Sequence, residues 1–400
     1  MVRSSSAQPE PPPVIRLFVC GDVMIGRGID QVLAHPCDPA LHEGYAHSAT
    51  DYVRLAEAAN GPIPRHADPW YVWGAALDEW SRAQPDGRIV NLETSVTHSD
   101  DYIRKGINYR VSPDNAECLA AAAIDCCVLA NNHVLDWGRA GLSETLATLA
   151  HLGIKTAGAG RNLDEAAAPA VLDFHRKGRV LVFSFALPSS GVPDSWAVTR
   201  ESAGVNVLSD LSLSGVSRIA EQVERTRRLG DVILVSIHWG SNWGYDVAAA
   251  EQRFAHALID DAGVSIVHGH SSHHPKGIEV YRDRLILYGC GDFLNDYEGI
   301  HGYEEYRGDL ALMYIAGVDA ASAAVVSLEI VPLQIRNFRL ARPSSQDVEW
   351  LQQTLDRESR RFGARVALDA AGRLVLSRNN SSEPLFHRSR RRSQSGGHLN

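Results

Sequence analysis

The chain has 400 residues, 44% of them hydrophobic and 22% charged, as in a globular protein with a sizeable buried core. Lys and Arg number 39 against 48 for Asp and Glu, so the formal net charge is −9, which argues against a nucleic-acid-binding protein. No apolar stretch is long enough to span a membrane, and the six cysteines form no CxxC pair. We therefore expect a cytoplasmic protein with reduced cysteines and no membrane insertion.

The two ends of the chain differ in composition from its middle. Residues 1–13 are rich in Ser and Pro and have no signal-peptide core, and residues 377–400 are rich in Ser and Arg. Neither end has enough apolar side chains to order itself, so we predict a disordered N-terminal arm and a disordered basic tail. Phosphate or partner binding is an alternative for the tail. Between the ends we place a catalytic domain at 14–340 and a peripheral extension at 341–376.

Apolar runs that predict buried strands alternate along the chain with segments of helical period. This alternation is typical of an α/β protein. The predicted strands are Val14–Cys20, Ile89–Val90, Cys126–Leu129, Val180–Ala186, Val232–Ile237, Val264–Val267, Leu285–Tyr288, Leu310–Ile315 and Ala324–Ile335. The predicted helices are Trp70–Arg82, Asp114–Ala123, Gly141–Leu152, Val216–Leu229, Ala248–Asp261 and Gln346–Phe362.

Polar side chains follow one predicted strand after another. The richest cluster, His268–His274, holds four imidazoles in seven residues; we expect it to be a loop and not a packed strand, and a merely solvated His-rich loop is the alternative. Because open α/β sheets place their sites at the carboxyl ends of strands, the repeated clusters favour one shared site. Carboxylate, amide and imidazole groups are metal ligands. We predict a metal site built from Asp22, Glu93, Asn132, His238 and His270.

Five stretches, in chain order, resemble the motifs of the CapA-type family, which is named for capsule poly-γ-glutamate synthesis. They are GDVMIGRG, NLETSVT, LANNHVLDWG, SIHWGSNWG and GHSSHHPKGIEVY with LILYGCGDFLND. The family resembles the calcineurin-like metallophosphoesterases in fold. The resemblance therefore implies a calcineurin-like four-layer α/β/β/α sandwich with the site at one edge.

The chain departs from the phosphoesterase pattern at three places. Met24 stands where the first motif carries a histidine, Glu93 replaces an aspartate of the second motif, and the last His-x-His is stretched to His270 and His273. A site that lacks a ligand is a poor two-metal clamp. We therefore predict one divalent ion, with Ca²⁺ or Mn²⁺ favoured and Zn²⁺ as an alternative, and no organic cofactor. Which histidines of the cluster His268–His274 bind metal and which act as acid or base stays open.

The histidines exceed what one metal needs, and His–Asp pairs are general acids and bases. The candidate pairs are His133 with Asp22 or Asp136, and His273 or His270 with Asp292. Two such pairs on opposite sides of a carbon can take a proton from one face and return one to the other. That is the requirement for inverting the α-carbon of an amino-acid residue.

The resemblance points to the same chemistry, since CapA-type proteins are implicated in placing D-residues in polymers. Relatives in ribosomal-peptide (lasso-type) pathways look like peptide epimerases. We therefore predict a metal-dependent epimerase that acts on a peptide, such as a ribosomal natural-product precursor. Two alternatives stay open: a metal-dependent phosphoesterase, and a non-catalytic protein of poly-γ-glutamate synthesis or binding.

Two groups of residues are candidates for binding the peptide. Arg104, Lys105 and Arg110 form a basic stretch that can bind a substrate carboxylate, with a solvated turn as the alternative. Tryptophans within the motifs can line a peptide groove, with ordinary packing as the alternative. These are Trp137, Trp239 and Trp243.

Overall fold

The computed structural model describes residues 13–378, which form strands and helices in alternation. The strands are β1 (Val14–Val23), β2 (Gly87–Leu92), β3 (Ser95–Val96), β4 (Arg110–Val111), β5 (Cys126–Val128), β6 (Lys155–Ala157), β7 (Ala159–Gly160), β8 (Ala170–Phe174), β9 (Gly178–Ala186), β10 (Gly204–Val205), β11 (Val232–His238), β12 (Ile266–His270), β13 (Ile278–Tyr281), β14 (Arg284–Leu287), β15 (Asp292–Leu294), β16 (Leu310–Asp319), β17 (Val325–Arg336), β18 (Arg339–Ala341), β19 (Ala364–Leu368) and β20 (Leu374–Arg378).

The α-helices of the described residues lie mostly between strands. They are α1 (Ala49–Asn60), α2 (Ala76–Ala83), α3 (Glu117–Ala121), α4 (Gly138–His151), α5 (Leu163–Ala167), α6 (Leu213–Thr226), α7 (Ala249–Ala262) and α8 (Ser345–Ser359). Short 3₁₀ turns complete the chain at Asp30–Val32, Tyr71–Trp73, Pro113–Ala116, Pro188–Ser190, Asp194–Trp196, Glu304–Tyr306 and Arg360–Phe362.

Two large sheets carry the fold within the described residues. The first runs β19-β20-β17-β16-β1-β2-β5-β6, with β15 added beside β1 and β18 beside β17. Its β1, β2, β5 and β6 are parallel, whereas β16 and β17 are antiparallel. The second runs β13-β14-β12-β11-β9-β8, and β9, β11, β12 and β14 in its centre are parallel. Both sheets therefore have parallel strands whose carboxyl ends can carry a site.

The two sheets stack face to face, as the side-chain alternation of their strands shows. In β1, Leu17 and Val19 join a cluster between the sheets that also holds Leu234 of β11, whereas Phe18 belongs to a second cluster on the outer side. Helices α1, α2 and α4 contribute to that outer cluster, and α6 and α7 cover the other sheet in a third. The predicted four-layer α/β/β/α sandwich is confirmed.

Several predicted elements have different bounds in the structure. The predicted helix Trp70–Arg82 is divided into a 3₁₀ turn and α2, because Gly74 between them has a φ of +40° and a Cβ there would lie 2.0 Å from the Leu340 carbonyl oxygen. The predicted helix Asp114–Ala123 is a 3₁₀ turn followed by the short α3. Strand β12 runs to His270, so the expectation that the His-rich segment is not packed strand is wrong for its first part.

The predicted arm 1–13 and tail 377–400 lie outside the described residues, apart from Pro13 and the last two residues of β20. Those two residues show that the sheet extends into the predicted tail. The predicted peripheral extension, 341–376, contributes α8 and edge strands of the first sheet. Among residues 13–378, no helix has the length and hydrophobicity needed to cross a membrane.

Candidate metal and acid–base site

Three neighbouring strands of the first sheet deliver buried carboxylates to one place. Asp22 lies at the end of β1, opposite Asp292 of β15 on one side and Asn91 of β2 on the other. Glu93 directly follows β2, and Asn91 donates a hydrogen bond to Asp22 at 2.7 Å. The strands meet tightly here, since a Cβ at Gly21 would lie 1.5 Å from a backbone oxygen. Asp22, Glu93 and Asp292 form what we call the carboxylate centre.

The carboxylate centre has strongly perturbed acidities. Burial, reinforced by the charge of Asp292, raises the pKa of Asp22 to about 7. Burial and the neighbouring Asp22 raise the pKa of Glu93 well above its usual range. Within the described residues, Glu93 Oε2 is buried and has no hydrogen-bond partner. Buried carboxylates with an unpartnered oxygen fit a bound cation, which would compensate their charge.

Two histidines of the second sheet face this centre. His238 ends β11 and His270 ends β12, and their Nδ1 atoms lie 2.7 Å apart. One ligand atom from each lies within 4.8 Å of the other and of an Asp22 oxygen. Burial lowers the pKa of both histidines, which favours the neutral imidazole that ligates a metal. Asn132 accepts a hydrogen bond from His238 Nε2 at 3.0 Å. The predicted metal residues therefore do converge.

The first histidine–carboxylate pair joins His133 to Asp136. His133 Nδ1 lies 2.6 Å from Asp136 Oδ2, and Lys105 Nζ contacts the other carboxylate oxygen at 2.7 Å. The backbone N–H of Tyr109 also donates to Asp136, at 2.7 Å. The other ring nitrogen of His133 lies 3.8 Å from Glu93. Burial lowers the pKa of His133 to about 4, although Asp136 acts to raise it.

The second pair joins His273 to Asp292. His273 Nδ1 lies 2.9 Å from Asp292 Oδ1, and Asn295 donates to the other oxygen of Asp292 at 2.8 Å. Burial acts to lower the pKa of His273, but the Asp292 carboxylate outweighs it and the pKa is raised. Asp22, His273 and Asp292 also form a second set of ligand atoms within 4.8 Å. The two pairs thus hold histidines whose pKa values shift in opposite directions.

These contacts show which of the predicted histidine–aspartate pairs form. His133 pairs with Asp136 and not with Asp22, and His273, not His270, pairs with Asp292. His268 instead links the two sheets: its Nε2 donates to the Cys20 carbonyl at 2.6 Å. His274 is buried among aromatic rings, with Tyr245 and Tyr306 centroids at 4.6 and 4.7 Å.

A cavity of about 590 Å³ opens beside His273. Trp243 forms part of its wall and stacks on Tyr303, with ring centroids 4.2 Å apart. Other residues of the wall are Arg27, Tyr45, Tyr109, Asn242 and Tyr297. A cavity of this volume accommodates a side chain and adjoining backbone of a peptide.

Only some of the predicted peptide-binding residues lie at this site. Trp243 lines the cavity and Lys105 contacts the first pair, whereas Arg104 is exposed on a loop. The other three predicted residues, Arg110, Trp137 and Trp239, pack inside the protein. Trp239 is buried with its Nε1 donating to the Tyr288 carbonyl. The other two pack on each other, with the Arg110 guanidinium 3.9 Å from the Trp137 ring.

Sequence reasoning missed a buried ionic group on the cavity wall. Arg27 is 3% exposed and donates to Asp296, Glu43, Tyr52 and Tyr109. The sequence did offer one indication of its importance: Arg27 belongs to the same motif as Asp22, GDVMIGRG. Its acidic partners stand 16 and 269 residues away, so no local pattern pointed to them.

The fold and site define a class: α/β sandwich proteins whose strand ends present carboxylates and imidazoles suited to a divalent ion. Within that class, the chain belongs to the family described as bacterial capsule synthesis protein PGA_cap, whose model matches residues 16–297. The predicted CapA-type family is thereby confirmed.

Curated relatives agree with the family. A Mycobacterium tuberculosis protein named "Probable polyglutamine synthesis accessory protein" is 48% identical over 357 residues, which cover 89% of this chain and 94% of the relative. The "PGA biosynthesis protein CapA" of Bacillus subtilis is 25% identical over 286 residues, covering 71% and 64%. A solved structure of a phosphatase described as novel, from Mycoplasma pneumoniae, aligns with a TM-score of 0.43 at 13% identity, covering 83% of this chain and 96% of the other. A structural similarity this distant does not indicate an activity.

Proposed function

We propose that this protein is a metal-dependent epimerase that inverts the α-carbon of an amino-acid residue within a peptide. The observation that carries the proposal is the presence of two separate histidine–carboxylate pairs, His133–Asp136 and His273–Asp292, around one carboxylate centre. Inversion needs one group that removes the Cα proton and a second that returns a proton to the opposite face. Two imidazoles, each oriented by its own carboxylate, supply those groups.

The environments of the two histidines support complementary roles. The lowered pKa of His133 favours the neutral imidazole, which accepts a proton. The raised pKa of His273 favours the imidazolium, which donates one. Pairs of groups whose pKa values are pushed apart are typical of acid–base catalysis. In the reverse reaction the two histidines exchange roles, and exchange with water resets the protons after each turnover.

The metal-binding part of the proposal rests on Asp22, His238 and His270, whose ligand atoms lie within 4.8 Å of one another. Glu93, with its Oε1 3.8 Å from His238 Nε2, would join them, and Asn132 lies beside His238. When bound, a divalent ion compensates the buried carboxylates and polarises a nearby carbonyl group. The chain itself would position the substrate: Trp243 and the cavity wall would hold the peptide with its Cα beside His273, and the proposal requires His133 to reach the opposite face.

Family relatives bear on the substrate. Their names refer to PGA and polyglutamine synthesis, which makes a polymer of glutamate or glutamine one candidate chain to act on. A ribosomal peptide precursor is the other. Its α-carbons adjoin amide carbonyl groups, whereas each α-carbon of poly-γ-glutamate carries a free carboxylate. We propose a peptide partner, no nucleic acid, and action in the cytoplasm.

The test is hydrogen exchange at Cα. The protein is incubated in D₂O with linear peptides in matched L and D forms, and with poly-γ-L-glutamate, and deuterium is followed by mass spectrometry and NMR. We expect both forms of the accepted substrate to reach the same mixture, with one deuterium incorporated per inversion. Absence of exchange from every substrate would sink the epimerase proposal.

A phosphoesterase remains the second candidate, for one specific reason. Asp22 belongs to two sets of candidate ligands, one with His238 and His270 and one with His273 and Asp292. Two ions sharing Asp22 would form the clamp that phosphoester hydrolysis uses. Two bound ions per chain, together with phosphodiester hydrolysis and no Cα exchange, would favour this candidate. Metal binding without any turnover would favour a non-catalytic protein.

A further inference from the structure

A chain of hydrogen bonds runs along the cavity wall from Arg27 to Tyr297. Arg27 Nη2 donates to the Tyr109 hydroxyl at 2.9 Å, and the hydroxyls of Tyr109 and Tyr297 lie 3.1 Å apart. A guanidinium can only donate. Among the described residues, Tyr297 is the acceptor within reach of the Tyr109 hydroxyl hydrogen. The direction of the chain is therefore fixed: Arg27 donates to Tyr109, and Tyr109 donates to Tyr297.

Among the described residues, the hydrogen of the Tyr297 hydroxyl has only a weak acceptor. Within residues 13–378, its bond leads to the thioether of Met24, at 3.7 Å. A thioether sulfur is a weak acceptor, so this hydrogen stays available to a better one. Burial raises the pKa of Tyr297 well above its usual range, which keeps the phenol protonated. The thioether of Met24 therefore leaves the Tyr297 hydroxyl able to donate to a carbonyl oxygen that enters the cavity.

The two tyrosines also lie between the proposed acid–base histidines. The Tyr109 ring meets the His133 ring edge-on at 4.6 Å, and the Tyr297 ring meets the His273 ring edge-on at 5.4 Å. Both tyrosines line the cavity. A substrate whose Cα lies between the two histidines can present its adjoining carbonyl group to this pair of tyrosines.

We propose that the Tyr297 hydroxyl donates a hydrogen bond to the carbonyl oxygen of the residue being inverted. The inference rests on the proposed epimerase function. When the Cα–H bond breaks, the proton passes to one imidazole and the electron pair enters the bond between Cα and the carbonyl carbon. The carbonyl oxygen then carries the negative charge, until the second histidine returns a proton to Cα. A preorganised donor to that oxygen stabilises the charge as it develops.

The test compares Tyr297→Phe with the wild type in the Cα exchange assay. Loss of one such donor typically lowers kcat by about 10²–10³-fold, and we expect a loss of that order with KM changed by less than about threefold. Tyr281→Phe is the matched control, since Tyr281 is also half-buried and its hydroxyl donates to Asp260 at 3.0 Å, away from the cavity. Metal content and melting temperature are measured for every variant.

A second variant keeps the hydroxyl and changes its acceptor. Met24→Gln supplies an amide oxygen that engages the Tyr297 hydrogen, so kcat should fall while metal content stays at the wild-type value. This variant decides the matter if Tyr297→Phe does not fold. Exchange by the wild type with undiminished kcat in Tyr297→Phe would overturn this inference alone. No exchange by the wild type would overturn the epimerase proposal and this inference with it.

Discussion

At the scale of single residues, backbone position decides what each histidine can do. His268 lies inside β12, where its ring is held by the Cys20 carbonyl and by Ser236 Oγ at 3.1 Å. His270, two residues on, points the same way and reaches His238 at the end of the neighbouring strand. His273 follows the strand and is oriented by Asp292. One short segment therefore supplies a structural histidine and, under the proposed function, a metal-ligating and an acid–base histidine.

Replacing His133 tests the first acid–base pair. In His133→Ala we expect Cα exchange to fall by about 10²–10⁴-fold, the usual loss for a positioned acid or base. His98→Ala is the control, because the His98 side chain is 56% exposed and lies beside Asp114 on the surface. Deuterium incorporation and metal content are both measured. Exchange at the wild-type rate in His133→Ala with metal still bound would contradict the assignment.

At the scale of elements, β12 is fastened to the first sheet by the ring of His268. In His268→Ala, the Cys20 carbonyl loses its hydrogen-bond donor and a cavity opens between the sheets. Both effects destabilise, so we expect the free energy of unfolding to fall by about 2–4 kcal/mol. Urea unfolding measures it, with the exposed His175→Ala as the control. A loss as small as that of His175→Ala would show that His268 does not hold the sheets together.

The loop before β16 is tied to α8 by Arg307. Its guanidinium contacts Asp309 at 2.7 and 2.8 Å and Asp347 at 2.7 Å. Burial acts to raise the pKa of Asp309, but the hydrogen bonds from Arg307 and Gln334 and the charge of Arg307 together outweigh it, and the pKa is lowered. Burial likewise acts to raise the pKa of Asp347, and hydrogen bonds from Ser344 and Arg307 lower it.

We expect Arg307→Met to destabilise by about 1–2 kcal/mol near neutral pH, a modest figure because the Asp309 side chain is 37% exposed. A carboxyl group whose folded pKa is lowered stabilises above its unfolded pKa and loses that effect as pH falls through the folded value. The difference between wild type and variant should therefore shrink below about pH 4. Thermal melts across pH measure it, with the exposed Arg54→Met as control. A difference that grows in acid would refute this account.

The sequence could predict those parts of the fold and site that depend on local pattern. Apolar runs marked the central strands, and the polar residues after them located Asp22, Glu93, His238 and His270, because strand ends converge in any parallel sheet. The break at Gly74 escaped prediction, since its cause is a contact with Leu340, 266 residues later. The buried partners of Arg27 and the Tyr109–Tyr297 pair could not be predicted for the same reason. Contacts between residues far apart in the chain produce no periodic pattern in the sequence.

At the scale of the whole molecule, the site lies where the two sheets meet. The first sheet supplies Asp22 and, just after β2, Glu93, whereas the second supplies His238 and His270 at the ends of neighbouring strands. An ion held by all four would therefore connect the two halves of the sandwich. Its binding free energy would add to the stability of the whole fold, since a ligand that binds only the folded state stabilises that state.

We expect a chelator to lower the melting temperature and a divalent ion to restore it. An ion present at 100 times its Kd stabilises by about 2.7 kcal/mol. Mn²⁺ should restore more than Ca²⁺, because His238 and His270 offer nitrogen ligands and Ca²⁺ takes oxygen ligands. Thermal melts of chelated protein, followed by titration with each ion, measure the effect. Equal melting temperatures with chelator and with every ion would refute the metal site.

The variant Glu93→Gln separates metal binding from other effects of the buried charges. Without metal, the pKa values of Asp22 and Glu93 are both raised, because burial and repulsion within the carboxylate centre disfavour the charged forms. Removing one charge relieves that repulsion, so the metal-free variant should be at least as stable as the metal-free wild type. With one anionic ligand fewer, however, it should gain less stability from Mn²⁺. A variant that is less stable than the wild type without metal, yet gains as much from Mn²⁺, would place Glu93 in the packing of the fold and outside the metal site.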